Sequence, residues 1–65
     1  MLPEQRHSKI LQMLEEKDSI TLQEIKDRLG ISESTIRRDL NTLHEQGQLV
    51  KVFGGAVAPH IKSNV

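Results

Sequence analysis

The most constraining feature of this sequence is a pair of helix-start signals on either side of a single glycine. Thr21 and Glu24 form the Thr-x-x-Glu pattern of a capping box, and Ser32 can cap a further helix. Gly30 lies between them, where a helix ends easily because glycine accepts a positive φ. The sequence therefore predicts two short helices joined by a turn of about three or four residues, a helix-turn-helix arrangement over about 20–39.

Apolar residues at helical spacing predict three helices in all. These helices cover residues 3–17, 22–29 and about 33–46, and Gly47 ends the third. Residues 19–21 are long enough only for a turn or a short strand. The expected inward-facing residues are Ile10, Leu11 and Leu14 in the first helix, Leu22, Ile25 and Leu29 in the second, and Ile36, Leu40 and Leu43 in the third.

A β-hairpin is predicted after the third helix. Residues 49–53 are rich in β-branched and aromatic side chains, Gly54-Gly55 is interpreted as a two-residue turn, and residues 56–58 form the returning strand. The expected pairs are Phe53 with Ala56, Val52 with Val57, and Lys51 with Ala58. This pairing creates a valine face, which we assign to the core, made of Val50, Val52 and Val57.

Together these elements predict an α+β domain that is mainly helical. The expected architecture is a winged helix-turn-helix, with three helices and a C-terminal β-hairpin wing. The domain covers residues 3–58, with the wing at about 49–58. Residues 59–65 are interpreted as a tail or linker, and the stretch from residue 60 shows no periodicity.

Composition argues against several classes of protein. The chain has no cysteine among its 65 residues, so a disulfide framework and a thiolate metal site are both excluded. The N-terminal residues carry mixed charge without an apolar run, so we expect no secretory signal, no membrane segment and a cytoplasmic location. His7, His44 and His60 lie in different predicted elements, so no metal site is expected. No enzyme activity or cofactor is expected, because so thin a domain offers no pocket.

Charge is unevenly distributed along the chain, although the formal net charge is +0. Residues 1–33 hold five Lys/Arg and seven Asp/Glu, whereas residues 34–65 hold four and two. A basic second half fits a nucleic-acid binder, and an imbalance this small is equally compatible with chance. Charge alone therefore does not distinguish a nucleic-acid binder from a chance distribution.

Hydroxyl and basic side chains occupy the outward face of the third helix. Opposite its apolar stripe lie Ser34, Arg38, Asn41 and Glu45, flanked by Arg37 and Thr42. In a major groove, arginine reads guanine with two hydrogen bonds, and Ser or Thr binds bases or phosphates. An ordinary solvated face is the alternative for the arginine pair alone. Its place in a helix-turn-helix favours DNA.

Two stretches of the chain resemble the DeoR family of bacterial repressors. They read Ser-Thr-Ile-Arg-Arg-Asp-Leu at 34–40 and Gly-Gln-Leu-Val-Lys-Val-Phe-Gly-Gly-Ala at 47–56. The family signature is Thr-Ile-Arg-Arg-Asp-Leu followed by Gly-x-Leu-x-Arg-x-His-Gly-Gly-Ala. The resemblance covers residues 3–58 and implies a winged helix whose third helix lies in the major groove. The matching residues that it implies at the DNA are Ser34, Thr35, Arg37 and Arg38.

The wing departs from the family pattern at two positions. Lys51 stands where the family usually has Arg, which keeps the charge and loses the fork that grips a phosphate with two bonds. Phe53 stands where His is usual. We expect Lys51 to make a non-specific backbone contact, and Phe53 to pack against the protein or a sugar edge.

The candidate DNA-binding residues are Ser32, Ser34, Thr35, Arg37, Arg38, Asn41, Lys51, Gly54 and Gly55. At the two glycines, hairpin geometry is favoured as the reason for glycine, and a phosphate contact is the alternative. Asp39 also belongs to the family signature. We interpret it as a structural residue that orients an arginine, because it is acidic and points partly sideways.

Sequence-specific binding to double-stranded operator DNA is the expected function. The resemblance further implies a repressor, nearest to those of sugar-catabolism operons, that is released by a phosphorylated metabolite bound to a larger C-terminal domain absent from this chain. The full-length protein is expected to be a homo-oligomer through that domain. The isolated domain is expected to be a monomer, because burial of the valine face leaves no exposed apolar seam. The alternative is a winged-helix protein–protein interaction module, which the polar outer face of the third helix disfavours.

Overall fold

The fold combines three main helices with a small antiparallel sheet. A computed structural model describes residues 1–62. It shows, in chain order, α1 (Pro3–Lys17), β1 (Ser19–Thr21), α2 (Leu22–Leu29), α3 (Glu33–Glu45), β2 (Val50–Val52), β3 (Gly55–Val57) and the short helix α4 (Pro59–Lys62). This is the predicted winged helix-turn-helix, and the predicted bounds of α1 and α2 are confirmed. Residues 19–21, for which a turn or a strand was expected, form a strand.

The capping signals around Gly30 act as predicted. The Glu24 N–H donates to Thr21 Oγ1 at 3.1 Å, and the Thr21 N–H donates to Glu24 Oε1 at 3.0 Å, which completes the capping box. Gly30 ends α2 with a φ of 66° and donates its N–H to the Lys26 carbonyl. Ser32 then caps α3. These local hydrogen bonds end α2 at Gly30 and start α3 directly after Ser32, so the turn between the two helices is tight.

A single core lies between the helices and one face of the sheet. The three helical stripes pack together there, as predicted, and Met13 joins them. Fully burying one such side chain contributes about 1.5–3 kcal/mol relative to leaving it exposed. The buried apolar residues of the cluster are Ile10, Met13, Leu14, Ile20, Ile25, Ile36, Leu40, Leu43, Leu49 and Ala56.

The sheet joins the start of the helix-turn-helix to the wing. Its strand order is β1-β3-β2, so β3 pairs with both neighbours in antiparallel fashion. Ile20 lies opposite Ala56, and both side chains are buried. At the tip of the wing, the Leu22 N–H donates to the Gly54 carbonyl at 2.9 Å. The wing is therefore attached to the first residue of α2 and to the strand before it.

The predicted register of the hairpin is wrong by two residues. Val50 pairs with Val57, and Val52 pairs with Gly55, so the two-residue turn is Phe53-Gly54. Gly55 is a strand residue packed against β1, where an added Cβ would lie 2.1 Å from the Ile20 carbonyl oxygen. The second glycine is thus required by a neighbouring strand. The turn itself uses Gly54, which has a φ of 78°.

The assignment of the valine face to the core is also wrong. Val50, Val52 and Val57 are each only partly buried, whereas Leu49 and Ala56 are buried in the core. The helices pack on the opposite face of the sheet, because that face carries Ala56 and Ile20 of β1. Because the valine face is partly exposed, the reason given for expecting a monomeric isolated domain no longer holds.

The predicted tail begins with a short ordered segment. Pro59–Lys62 form the single helical turn of α4, so the expectation of a structureless stretch from residue 60 is wrong for its first residues. The Ala58 N–H just before it donates to the Asp18 carbonyl at 2.8 Å. The rest of the predicted linker, 63–65, lies outside the described residues. No helix within residues 1–62 is long and apolar enough to cross a membrane.

Candidate nucleic-acid interface

The first turn of α3 presents a cluster of hydroxyl groups. Ser32 and Ser34 are exposed, and Thr35 is partly buried. The Ser32 Oγ lies 2.9 Å from Thr35 Oγ1 and 3.4 Å from Ser34 Oγ, so the three hydroxyls form one hydrogen-bonded group. They lie at the N-terminus of α3, where backbone N–H groups and the helix dipole favour an anion. This end of α3 is suited to a phosphate oxygen.

The two arginines of α3 have different surroundings. Both are exposed. Arg37 Nη2 donates to Glu33 Oε1 at 2.9 Å, an ion pair between residues four apart on the helix surface. The side chain of Arg38 makes no hydrogen bond or ion pair to any residue in 1–62. The guanidinium of Arg38 is therefore available to bind another group, whereas that of Arg37 would have to leave or share the Glu33 carboxylate.

Asn41 and Lys51 lie together, although one is on α3 and the other is on β2. Lys51 Nζ donates to Asn41 Oδ1 at 2.9 Å. The Lys51 backbone N–H donates to His44 Nδ1 at 3.2 Å, which adds a second link between the same two elements. The sequence placed both residues in the DNA-binding set, and the structure brings them into contact. The role of His44 was not predicted.

A groove of about 310 Å3 separates α3 from the wing. It brings Arg37 together with Lys51 and the wing tip, so one of the predicted arginines, the predicted lysine and the turn line the same groove. The side chain of Phe53 is fully exposed at the tip. The expectation that Phe53 packs against the protein is therefore wrong, and a contact with DNA sugar stays a prediction. The groove is lined by Leu22, Arg37, Leu40, Lys51, Val52, Phe53, Gly54 and Gly55.

The two glycines of the wing differ in their exposure. Gly54 is exposed at the tip, with its carbonyl already accepting the Leu22 N–H. Gly55 is buried against β1, and its packing on Ile20 accounts for a glycine at that position without a phosphate contact. Hairpin geometry therefore explains the glycine at position 54, as predicted, whereas the glycine at position 55 is explained by its packing against β1 and not by the turn.

Asp39 is the buried charge that holds α3 in place. Its side chain is only 4% exposed, and it accepts two hydrogen bonds from Arg6 of α1: Nε to Oδ2 at 2.6 Å and Nη2 to Oδ1 at 3.1 Å. His7 Nε2 lies 3.1 Å from Oδ1. Asp39 is thus structural and orients an arginine, as predicted. The arginine is Arg6, which sequence reasoning missed because no local pattern links α1 to α3.

The electrostatics of Asp39 favour its charged form. Burial alone would raise the pKa of the Asp39 carboxyl, but the hydrogen bonds from Arg6 and His7 outweigh this effect and hold the pKa below its usual value. The hydrogen bond to Asp39 likewise raises the pKa of Arg6. Asp39 directly follows Arg38, so this ion pair anchors the backbone of α3 beside the exposed arginines.

These features define a winged helix-turn-helix DNA-binding domain. Proteins of this class have three features in common, and all three are present here. They are the tight turn between α2 and α3, the polar outer face of α3 and the wing beside it. Comparison with known proteins agrees: the DeoR-like helix-turn-helix domain matches residues 6–62. The chain belongs to the family of DeoR-like helix-turn-helix domains.

Several curated relatives are bacterial transcriptional regulators. The chain is 44% identical over 59 residues to the HTH-type transcriptional regulator YgbI of Escherichia coli strain K12, covering 91% of this chain and 23% of that protein. It is 48% identical over 56 residues to the HTH-type transcriptional regulator FruR of Bacillus subtilis strain 168, covering 86% and 22%. It is 47% identical over 58 residues to the HTH-type transcriptional regulator UlaR of Shigella sonnei strain Ss046, covering 89% and 23%.

The chain thus spans about a quarter of the length of the relatives it matches. No solved structure matches it. The match covers the helix-turn-helix domain, and the relatives are named as regulators of transcription.

Proposed function

We propose that this domain reads the operator of a bacterial transcriptional repressor. The observation that carries the proposal is the shared side of the molecule on which the outer face of α3 and the wing lie, separated by one groove. An α-helix fits the major groove of DNA, and a neighbouring wing then reaches the backbone beside it. Net charge on the whole chain is +0, so attraction to DNA depends on this local arrangement of cations.

The proposed contacts divide between bases and phosphates. Arg38 reads a base, because its guanidinium is exposed and unpaired within residues 1–62 and can offer two parallel donors to guanine. Arg37 holds a phosphate, because it lies at the groove toward the wing and already shares Glu33. The hydroxyl cluster of Ser32, Ser34 and Thr35 and the exposed Lys51 complete the phosphate contacts. Gly55 is left out of the contact set because it is buried.

Regulation is proposed to come from a C-terminal domain outside this chain. The relatives are more than four times as long as the matched region, so there is room for such a domain in the full-length protein. Joining two reading domains through an oligomeric effector domain makes the second DNA contact intramolecular, which can raise avidity by about 10² to 10⁴. We propose that a phosphorylated metabolite, of the kind met in sugar catabolism, changes this geometry and releases the operator.

Selection of bound sequences from a random duplex library tests the operator-reading proposal. Wild type should enrich one short consensus. Arg38→Ala should relax one base position and cost about 1–3 kcal/mol on that consensus. Arg37→Ala should weaken all sequences alike and reduce the salt slope of log Kd by about one unit. Arg28→Ala, an exposed arginine on α2, is the matched control and should change neither measurement.

Equal weakening of consensus and random DNA by Arg38→Ala would contradict its role at a base. Absence of any enriched consensus would contradict sequence-specific binding by this chain. Anisotropy titrations at several salt concentrations give both measurements on the same protein. Melting curves of each variant establish that the fold is intact at the titration temperature.

A protein-binding winged helix is the second candidate function. The fully exposed Phe53 and the partly exposed valine face favour it, because a protein partner would cover apolar side chains on the wing. Salt separates the two functions: phosphate contacts release counterions and give a steep slope, whereas apolar protein contacts do not. A wild-type domain that binds no duplex at low salt would favour the protein-binding function.

A further inference from the structure

The contact between Asn41 and Lys51 changes what each residue can recognise. Lys51 Nζ donates one hydrogen to Asn41 Oδ1 at 2.9 Å and keeps two further hydrogens. With its carbonyl oxygen directed at the ammonium, Asn41 presents its NH₂ group on the other side of the amide. The exposed groups of the pair are therefore hydrogen-bond donors, namely the Asn41 NH₂ and the remaining N–H groups of the positively charged Lys51 ammonium.

The position of Lys51 is fixed at its backbone as well. Its N–H donates to His44 Nδ1 at 3.2 Å, one helical turn beyond Asn41 on α3. A lysine on a free hairpin loses side-chain entropy when it is ordered by a ligand. Here the backbone and the ammonium are both held against α3 before any ligand binds, so less ordering is left for binding.

We propose that Asn41 and Lys51 form one composite site for a single DNA phosphate, shared between the recognition helix and the wing. This inference rests on the proposed function, because it assumes that α3 lies on DNA. A phosphate oxygen accepts hydrogen bonds and carries negative charge, which matches a site made of donors and one cation. Asn41 is then a positioning and phosphate-binding residue.

The same geometry makes Asn41 a poor reader of adenine. Bidentate recognition of adenine needs the asparagine oxygen to accept from N6 and its NH₂ to donate to N7. The carbonyl oxygen of Asn41 already faces the wing and the Lys51 ammonium. The enriched consensus should therefore contain no adenine that depends on Asn41.

A double-mutant cycle on DNA affinity tests the composite site. Lys51→Met removes the charge and keeps the length of the side chain, and Asn41→Ala removes the amide. We expect each single variant to weaken binding about tenfold and the double variant to weaken it little further, because either change dismantles the same site. Independent contacts would instead give about a hundredfold loss in the double variant.

The salt slope provides a second measurement that a purely structural role would leave unchanged. Lys51→Met should reduce it by about one unit, since one phosphate is no longer neutralised. Asn41→Ala should reduce it by a similar amount, although Asn41 is uncharged, because the Lys51 ammonium loses its support. Lys26→Met and Gln12→Ala are matched controls on exposed parts of α2 and α1, and neither should alter the slope.

The outcomes separate this inference from the function on which it rests. If wild type binds no duplex DNA, the proposed function fails. If wild type binds DNA and the two losses are additive, or if only Lys51→Met changes the salt slope, the composite site is refuted. An adenine in the consensus that disappears only in Asn41→Ala would refute it as well. Melting curves show whether each variant is folded at the titration temperature, and only affinities of folded variants enter the double-mutant cycle.

Discussion

Replacement of Gly55 by alanine should separate the wing from the strand before α2. An added Cβ at this position would lie 2.1 Å from the Ile20 carbonyl oxygen and 3.0 Å from Thr21 Cα, and both obstacles are backbone atoms. Ordinary van der Waals contact begins at about 3.4 Å, so the added Cβ and the Ile20 carbonyl oxygen have to move apart by about 1.3 Å or more. Side-chain rotation cannot relieve the clash.

The expected cost of Gly55→Ala is about 3 kcal/mol, the upper end of the range for overpacking, because a backbone has to move. For a domain of this size, such a loss lowers Tm by about 12 to 24 °C. Gly47→Ala is the matched control. Gly47 has a φ of 76° with no atom within 4 Å of the added Cβ, so only backbone strain of about 1–2 kcal/mol is expected there.

Thermal denaturation followed by circular dichroism measures both variants under the same conditions. The reasoning is refuted if Gly55→Ala is no more destabilising than Gly47→Ala. At a temperature where Gly55→Ala is folded, its DNA affinity should still be reduced, because the wing no longer lies beside α3.

Two further predictions concern Phe53 and Asp39. Phe53→His should leave Tm unchanged, since the side chain is fully exposed. The same change should tighten DNA binding modestly, because it restores the residue usual in the family. An unchanged affinity in an anisotropy titration would count against a contact between DNA and the wing at residue 53. The pKa of the Asp39 carboxyl is lower in the folded protein than its ordinary value of 3.8. Its contribution to the free energy of unfolding is therefore fully present at pH values above 3.8 and is lost as the pH falls through the folded pKa. Melting curves below about pH 4 should show this loss in wild type, and Asp39→Asn should be less stable at neutral pH and lack that part of the acid dependence.

The helices could be predicted closely because their signals are local. Thr21, Glu24, Gly30 and Ser32 each act on backbone groups within a few residues, so the sequence around the turn is sufficient to place both helix ends. The outer face of α3 follows from those ends and from helical periodicity. The exposed arginines were therefore predictable, and their contacts with DNA stay predictions.

The wing could not be predicted to the same depth, because its register depends on residues far along the chain. Gly54-Gly55 looks like a turn in isolation, but Gly55 is constrained by Ile20 of β1. The buried face of the hairpin is likewise chosen by Ile20 and the helices. For the same reason, the contacts of Asp39 with Arg6 and of Asn41 with Lys51 join elements distant in sequence, and periodicity carries no information about them.

The pairing of β1 with β3 has a consequence for building chimeric regulators. β1 precedes α2 and β3 follows α3, and Ser19 pairs with Val57, so the two strands enclose the whole helix-turn-helix. Exchanging only α2 and α3 between relatives would place a foreign helix pair between strands selected for another one. A transplant that begins at Pro3 and ends after Val57 also carries α1, whose Arg6 binds Asp39 of α3, and such a segment should transfer DNA specificity as a single unit.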